Sequence, residues 1–128
     1  MNTHFAALPE AGQKLVDSAV LEELNVMLGG EDDPTFLQGL LMDYFEDALS
    51  LLDQARTAYA TADAPLLKQA VHTLKSSSAM FGAQGYADVC QEIEHIAATG
   101  KTAGLDTPIT WLEAQFPQLK SELEALAF

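Results

Sequence analysis

The chain has 128 residues, 48% of them apolar, and its 19 Asp/Glu against six Lys/Arg give a formal net charge of −13. Such a length fits one domain with a real core, burying about 65–70% of its unfolded surface, and the apolar content excludes a disordered polyelectrolyte. The negative charge argues against nucleic acid and anionic membrane as partners, and the single cysteine excludes an internal disulfide framework.

The first 14 residues show no helical partner pattern and no apolar core of the signal-peptide kind. They are expected to form an N-terminal arm, residues 1–14, ahead of one domain, residues 15–128. No apolar run approaches the ~20 residues of a membrane helix, so a soluble cytoplasmic protein is the expectation. A short helix is predicted from about Asp17 to Leu28, with Val20, Leu21, Leu24 and Leu28 as its apolar face and Gly29-Gly30 as its end. Asp33 before Pro34 signals an N-cap followed by proline at the first helical position. From there to Thr61, Leu37, Leu41, Tyr44, Ala48, Leu51 and Ala55 alternate by four and three, the seam of a bundle helix. Asp63 and Pro65 open the next helix, whose stripe is Leu67, Val71, Leu74, Ser78 and Phe81. Gly82 and Gly85 punctuate the pattern. A third long helix carries Tyr86, Val89, Cys90, Ile93 and Ala97, and fades at Thr99-Gly100. Thr107-Pro108 starts the last helix, with Leu112, Phe116, Leu119, Leu123 and Leu126, and Pro117 is expected to kink or split it. The fold class is therefore all-α: an antiparallel up-down four-helix bundle with a short additional N-terminal helix.

The second long helix is chemically distinct. At 100° per residue, His72 lies about 100° from Val71 and about 200° from Leu74, so it projects away from the core stripe. Its neighbours on that face are Lys68, Lys75, Ser76 and Ala79. No carboxylate occurs from Ala64 to Ala87, where the chain average would place about three or four. Imidazole, mostly neutral near pH 7, is a good nucleophile. If it attacks phosphorus, the product carries extra negative charge that lysines one turn away can stabilise. Small residues beside it admit a second protein, and a rigid exposed helix suffices as platform.

The run from Ala70 to Ala83, with His72-Thr-Leu-Lys75-Ser76-Ser and Gly82-Ala83, resembles the signature of histidine-containing phosphotransfer (HPt) domains. The resemblance extends through Tyr86, Cys90 and Glu94, and back to the segment Asp43 to Ala48, covering about Asp17 to Ala127. It implies that His72 is the phosphoacceptor and that Lys75 stabilises the phosphate; Lys68, one turn before His72 on the same face, is a further candidate cation from spacing alone. Ser76 stands where the family commonly has glycine, and with Ala79 leaves room for close approach. Gly82 matches the glycine closing the helix turn. Glu94 falls where some members place a polar side chain that orients the histidine ring. The implied activity is a two-component phosphorelay step of the kind used in bacterial signalling. His72 takes a phosphoryl group from a receiver-domain aspartate and passes it to another. The implied partners are receiver domains of a hybrid sensor histidine kinase or a response regulator. Mg²⁺ is expected on the receiver, and no cofactor on this chain.

No ATP-binding loop is present, so the chain is expected to be a carrier without autonomous kinase activity. The alternative is an HPt-like adaptor that binds a signalling partner without phosphotransfer. Docking is expected around His72, with Met27, Leu28, Phe36 and Met42 as candidate contacts in an interface at or below about 1,200 Å². Glu92-Ile-Glu-His95 has the Glu-x-x-His spacing of di-iron bundles but occurs once, so no metal is expected. No separate oligomer seam stands out, and a monomer is the default. His4 falls in the arm, with nothing to recommend it.

Overall fold

The computed structural model describes residues 8–10, 12–30 and 32–128. Five helices stand in them: α1 (Ser18–Met27), α2 (Thr35–Ala60), α3 (Ala64–Met80), α4 (Gln84–Ala97) and α5 (Asp106–Ala127). The four long ones form the bundle. Helix α3 packs between α2 and α4, α5 closes the ring against both, and α1 leans on α3.

Local chemistry sets the starts. Asp17 caps α1 by accepting from the Ala19 amide, and Asp63 caps α3 by accepting from the Leu66 amide, with Pro65 in the first turn. At α2 the expected start moves by one residue. The helix begins at Thr35 rather than Pro34, and Asp33 accepts from the Thr35 amide.

The stripes of α3 and α4 are buried as read from the sequence: Leu67, Val71, Leu74, Ser78 and Phe81 on one, Tyr86, Val89, Cys90, Ile93 and Ala97 on the other. Two registers differ. In α2, Leu52 and Phe45 are buried while Leu51 is only half-buried, so the stripe is wider than its four-three seam. In α5, Ala127 is buried and Leu126 is 44% exposed, because a step of four from Leu123 stays on the stripe that a step of three leaves. On α1, Leu21 alone is buried. Gly85 does not punctuate the chain but lies inside α4. Pro117 does not split α5, which runs unbroken from Asp106 to Ala127. Its ring is exposed, so the one amide it removes lies on the solvent-facing side, and Phe116 and Leu119 hold both halves in the core.

The α3–α4 turn is the tightest point. Gly82 adopts φ +87°, a left-handed conformation open to glycine. Its carbonyl accepts from the Asp17 amide, and a Cβ there would lie 2.8 Å from the Asp17 carbonyl oxygen. The start of α1 is thereby fastened to the end of α3.

His4 and the rest of residues 1–7 lie outside the described residues. The described part of the expected arm runs along α5. The Trp111 indole donates to the Pro9 carbonyl, Gln118 donates to the Gln13 carbonyl, and Glu122 accepts from the Leu15 and Val16 amides. No helix among the described residues is long and apolar enough to cross a membrane.

Candidate functional site

Helix α3 presents His72 because five buried positions fix its opposite face. One anchor is polar. The buried Ser78 hydroxyl pairs with the Tyr44 hydroxyl of α2 at 2.7 Å. Burial pushes the Tyr44 phenol above its ordinary pKa, so it stays protonated in that pair. The His72 side chain is 57% exposed.

Helix α4 brings Glu94 against it. One carboxylate oxygen, Oε2, lies 2.9 Å from His72 Nδ1, and the other, Oε1, lies 2.7 Å from Lys75 Nζ. A carboxylate only accepts, so Nδ1 carries the proton. In the neutral ring Nε2 then holds the free lone pair. Nε2 makes no hydrogen bond among the described residues. Partial burial raises the Glu94 pKa, but the hydrogen bonds from Lys75 and His72 and their charges outweigh it and hold the carboxyl below its ordinary value. Glu94 is therefore ionised at neutral pH.

This corrects one inference from the sequence. The stretch from Ala64 to Ala87 lacks carboxylates along the chain, but in space Glu94 returns to it from α4. Lys75 is not a free cation waiting for phosphate; it is paired with Glu94 and only 25% exposed. Lys68 is exposed and lines a shallow depression of about 400 Å³ with Pro65, Gln69, His72 and Glu94.

Residues 39–127 match the family model described as "Hpt domain". The chain belongs to the Hpt domain family. It is similar to the crystal structure of histidine-containing phosphotransfer protein B (HptB) from Pseudomonas aeruginosa PAO1, with TM-score 0.76 and 25% identity, over 89% of this chain and 95% of that one. It is also 26% identical over 93 residues to multistep phosphorelay regulator 1 of Schizosaccharomyces pombe. That stretch is 73% of this chain and 31% of the yeast protein. The family match begins inside α2, so α1 lies outside it.

The remaining residues of this Hpt domain divide into two groups. Ser76 is exposed beside His72, and its hydroxyl donates to the His72 carbonyl at 3.2 Å, bonding its own helix rather than projecting outward. Thr73 and Ser77 back-bond in the same way. Ala79 is half-buried. Gly82 does not belong beside the imidazole. It is buried under α1, and ten residues of helical rise put it about 15 Å along the axis from His72.

Of the docking candidates, Met27 is 81% exposed, Phe36 57% and Met42 56%, and Leu28 is half-buried. Leu28 and Phe36 line one groove where α1 ends and α2 begins. Met42 stands on the other flank of α2. It lies one turn after Gln38, which donates to the Ala127 carbonyl of α5. The same flank carries Arg56, whose guanidinium fans onto Asp106, Thr110 and Glu113 of α5. The sequence reading missed that fan, because its three partners lie 50 to 57 residues away. Among the described residues, no group of three or more His, Cys, Asp or Glu is placed to hold a metal ion.

Proposed function

We propose that Nε2 of His72 accepts a phosphoryl group from the aspartyl-phosphate of one receiver domain and yields it to the aspartate of another. The observation that carries this reading is the Glu94–Nδ1 hydrogen bond, which leaves the nucleophilic nitrogen unprotonated on an exposed helix face. The Nε2 lone pair forms a bond to phosphorus as the bond from phosphorus to the aspartyl oxygen breaks, and the carboxylate leaves with that electron pair. No proton has to leave the attacking nitrogen. The ring gains positive charge, which the Glu94 carboxylate faces at 2.9 Å. Return transfer is the same step reversed. Phosphoryl transfer depends chiefly on positioning and charge neutralisation, so the receiver can supply Mg²⁺ and most of the catalytic apparatus. This chain is then a carrier. Lys75 and Lys68 are the cations nearest the incoming phosphate in this reading, Lys75 by turning from Glu94.

The test is phosphotransfer from a phosphorylated receiver domain to wild type and to His72→Gln. Acid-labile, base-stable label on the wild type alone is the expected result. Equal labelling of both proteins overturns the assignment, and binding without any label would leave a phosphate-independent adaptor.

A further inference from the structure

The charge of this chain is not spread evenly. Residues 15–55 hold ten of the 19 carboxylates and no Lys, Arg or His. The segment comprises α1, the connection that follows it and the first four-fifths of α2, and it accounts for −10 of the net −13; nine of its carboxylates belong to described, exposed residues. The same surface exposes apolar side chains. Leu28, Phe36 and Leu40 line the groove between α1 and α2, with Asp33 and Asp43 at its rim. Val26 and Met27 stand exposed beside it on α1, next to Glu22 and Glu23.

The acidic edge of α2 continues past the groove toward the level of His72. Asp47 lies one turn after Asp43, on the same edge of α2. The Tyr44–Ser78 hydrogen bond fixes the antiparallel register of α2 and α3. Counting from it, Asp47 comes level with Lys75, and Ser50 level with His72. Phe36 is then about 20 Å along the bundle from the imidazole. A standard docking patch of about 800 Å² per partner is roughly 30 Å across, so one protein can cover both.

We infer that this groove and its acidic edge are the selective half of the docking surface, and that the receiver domain it takes presents an apolar cluster ringed by Lys and Arg. The inference rests on the phosphotransfer reading above and adds the chemistry of the partner. Charge complementarity decides among occupants. A second copy of this chain would set the carboxylates of Glu22, Glu23, Asp33 and Asp43 against their own kind, and a like-charged receiver would meet the same repulsion. A basic rim is instead drawn in before contact, while Met27 and Phe36 supply the apolar centre.

The test is the second-order rate of transfer from purified phosphorylated receivers whose docking faces are basic or acidic, measured across NaCl concentration. Wild type is compared with the double variant Asp43→Lys/Asp47→Lys and with Phe36→Ala, each checked by circular dichroism. With a basic-faced receiver, the lysine variant should lose about tenfold or more at low salt, shrinking to within about twofold at 0.5 M. The rate at saturating receiver should stay unchanged. Phe36→Ala should lose rate at every salt concentration. Smaller or salt-indifferent losses, with His72 still labelled, overturn this inference and leave the phosphotransfer reading standing. A wild type that prefers acidic-faced receivers, or dimerises through this face in light scattering, also overturns it. No label on the wild type from any receiver defeats the phosphotransfer reading, and this inference with it.

Discussion

Replacing Glu94 by Gln isolates what its charge does at His72. The carboxylate has two acceptors in use, Oε2 for Nδ1–H at 2.9 Å and Oε1 for Lys75 at 2.7 Å. The amide has one oxygen and one NH₂. If the oxygen stays with the Lys75 ammonium, the NH₂ faces Nδ1, which must then accept. The ring proton moves to Nε2 and occupies the attacking lone pair. If the oxygen turns to Nδ1 instead, the ion pair is lost and two donors face each other. A hydrogen bond to a charged group contributes about 1.5–3 kcal/mol. His72 is 57% exposed, and solvent screening reduces that to roughly 1–1.5 kcal/mol. The expected loss in single-turnover transfer is therefore about 5- to 10-fold. Nitrogen NMR of the His72 ring should show the accompanying change of tautomer. A variant within twofold of wild type, with the proton still on Nδ1, refutes the positioning argument. The pH sign follows from the direction of the Glu94 shift. Its folded pKa lies below its ordinary value of 4.5, so its contribution to stability is complete above that value. The contribution is lost as pH falls through the depressed value, and denaturation curves of wild type and Glu94→Gln should converge on acidification.

Three further predictions follow from the same geometry. Lys75→Ala should slow transfer by about 10-fold or more, because it removes a cation and leaves the 15% exposed Glu94 carboxylate facing the incoming phosphate. Lys68→Ala, which removes an exposed lysine, should cost no more than about threefold in the same assay, and the reverse order would show that Lys75 is merely structural. Tyr44→Phe and Ser78→Ala should each destabilise by about 1–2 kcal/mol in urea, since each strands a buried hydroxyl. The double variant should cost less than their sum, and strict additivity would show that the pair does not interact. Gly82→Ala should lower stability by at least about 1–2 kcal/mol, from a left-handed φ and a Cβ placed 2.8 Å from the Asp17 carbonyl oxygen. A melting temperature equal to wild type would show that the α1–α3 junction yields freely.

The core was legible where the two candidate steps of a helical stripe, three or four, fell on residues of different character. On α3 the two steps from Val71 fall on Leu74 and Lys75 and those from Ser78 on Phe81 and Gly82, and every expected position is buried. At Leu51-Leu52 and Leu126-Ala127 both steps were apolar, and packing between helices decided, which no period within one helix encodes. His72, Lys75 and Glu94 were each visible from sequence with the resemblance in hand. The contact of Glu94 with the His72 ring was part of that resemblance, but the pairing of Lys75 with Glu94 was not legible, because a count of carboxylates along α3 takes no account of a carboxylate that α4 returns to it. Ser78 left a usable signal: a hydroxyl inside a core stripe requires a partner, and Tyr44 sits in the facing stripe. Met42 shows the limit of exposure as a guide. It was chosen as an apolar surface residue, and the register of α2 turns it toward the α5 flank, away from the groove that Leu28 and Phe36 share.

The pairing of Lys75 with Glu94 bears on why such a site would transfer a phosphoryl group rather than keep it. At rest Glu94 cancels the charge of Lys75, so of the site's two lysines only the exposed Lys68 adds net positive charge. A phosphoryl group arriving on Nε2 competes with Glu94 for Lys75, and the favourable contact to phosphate is offset by the ion pair given up. The positive charge that develops on the ring is at the same time stabilised by Glu94. The two effects act on the loaded state with opposite sign and offset one another, which keeps the difference in free energy between loaded and unloaded states small. A carrier needs that difference small, because transfer in both directions must remain possible. Strong holding would come from unopposed cations, and the fold places Glu94 of α4 where it opposes the nearer of them.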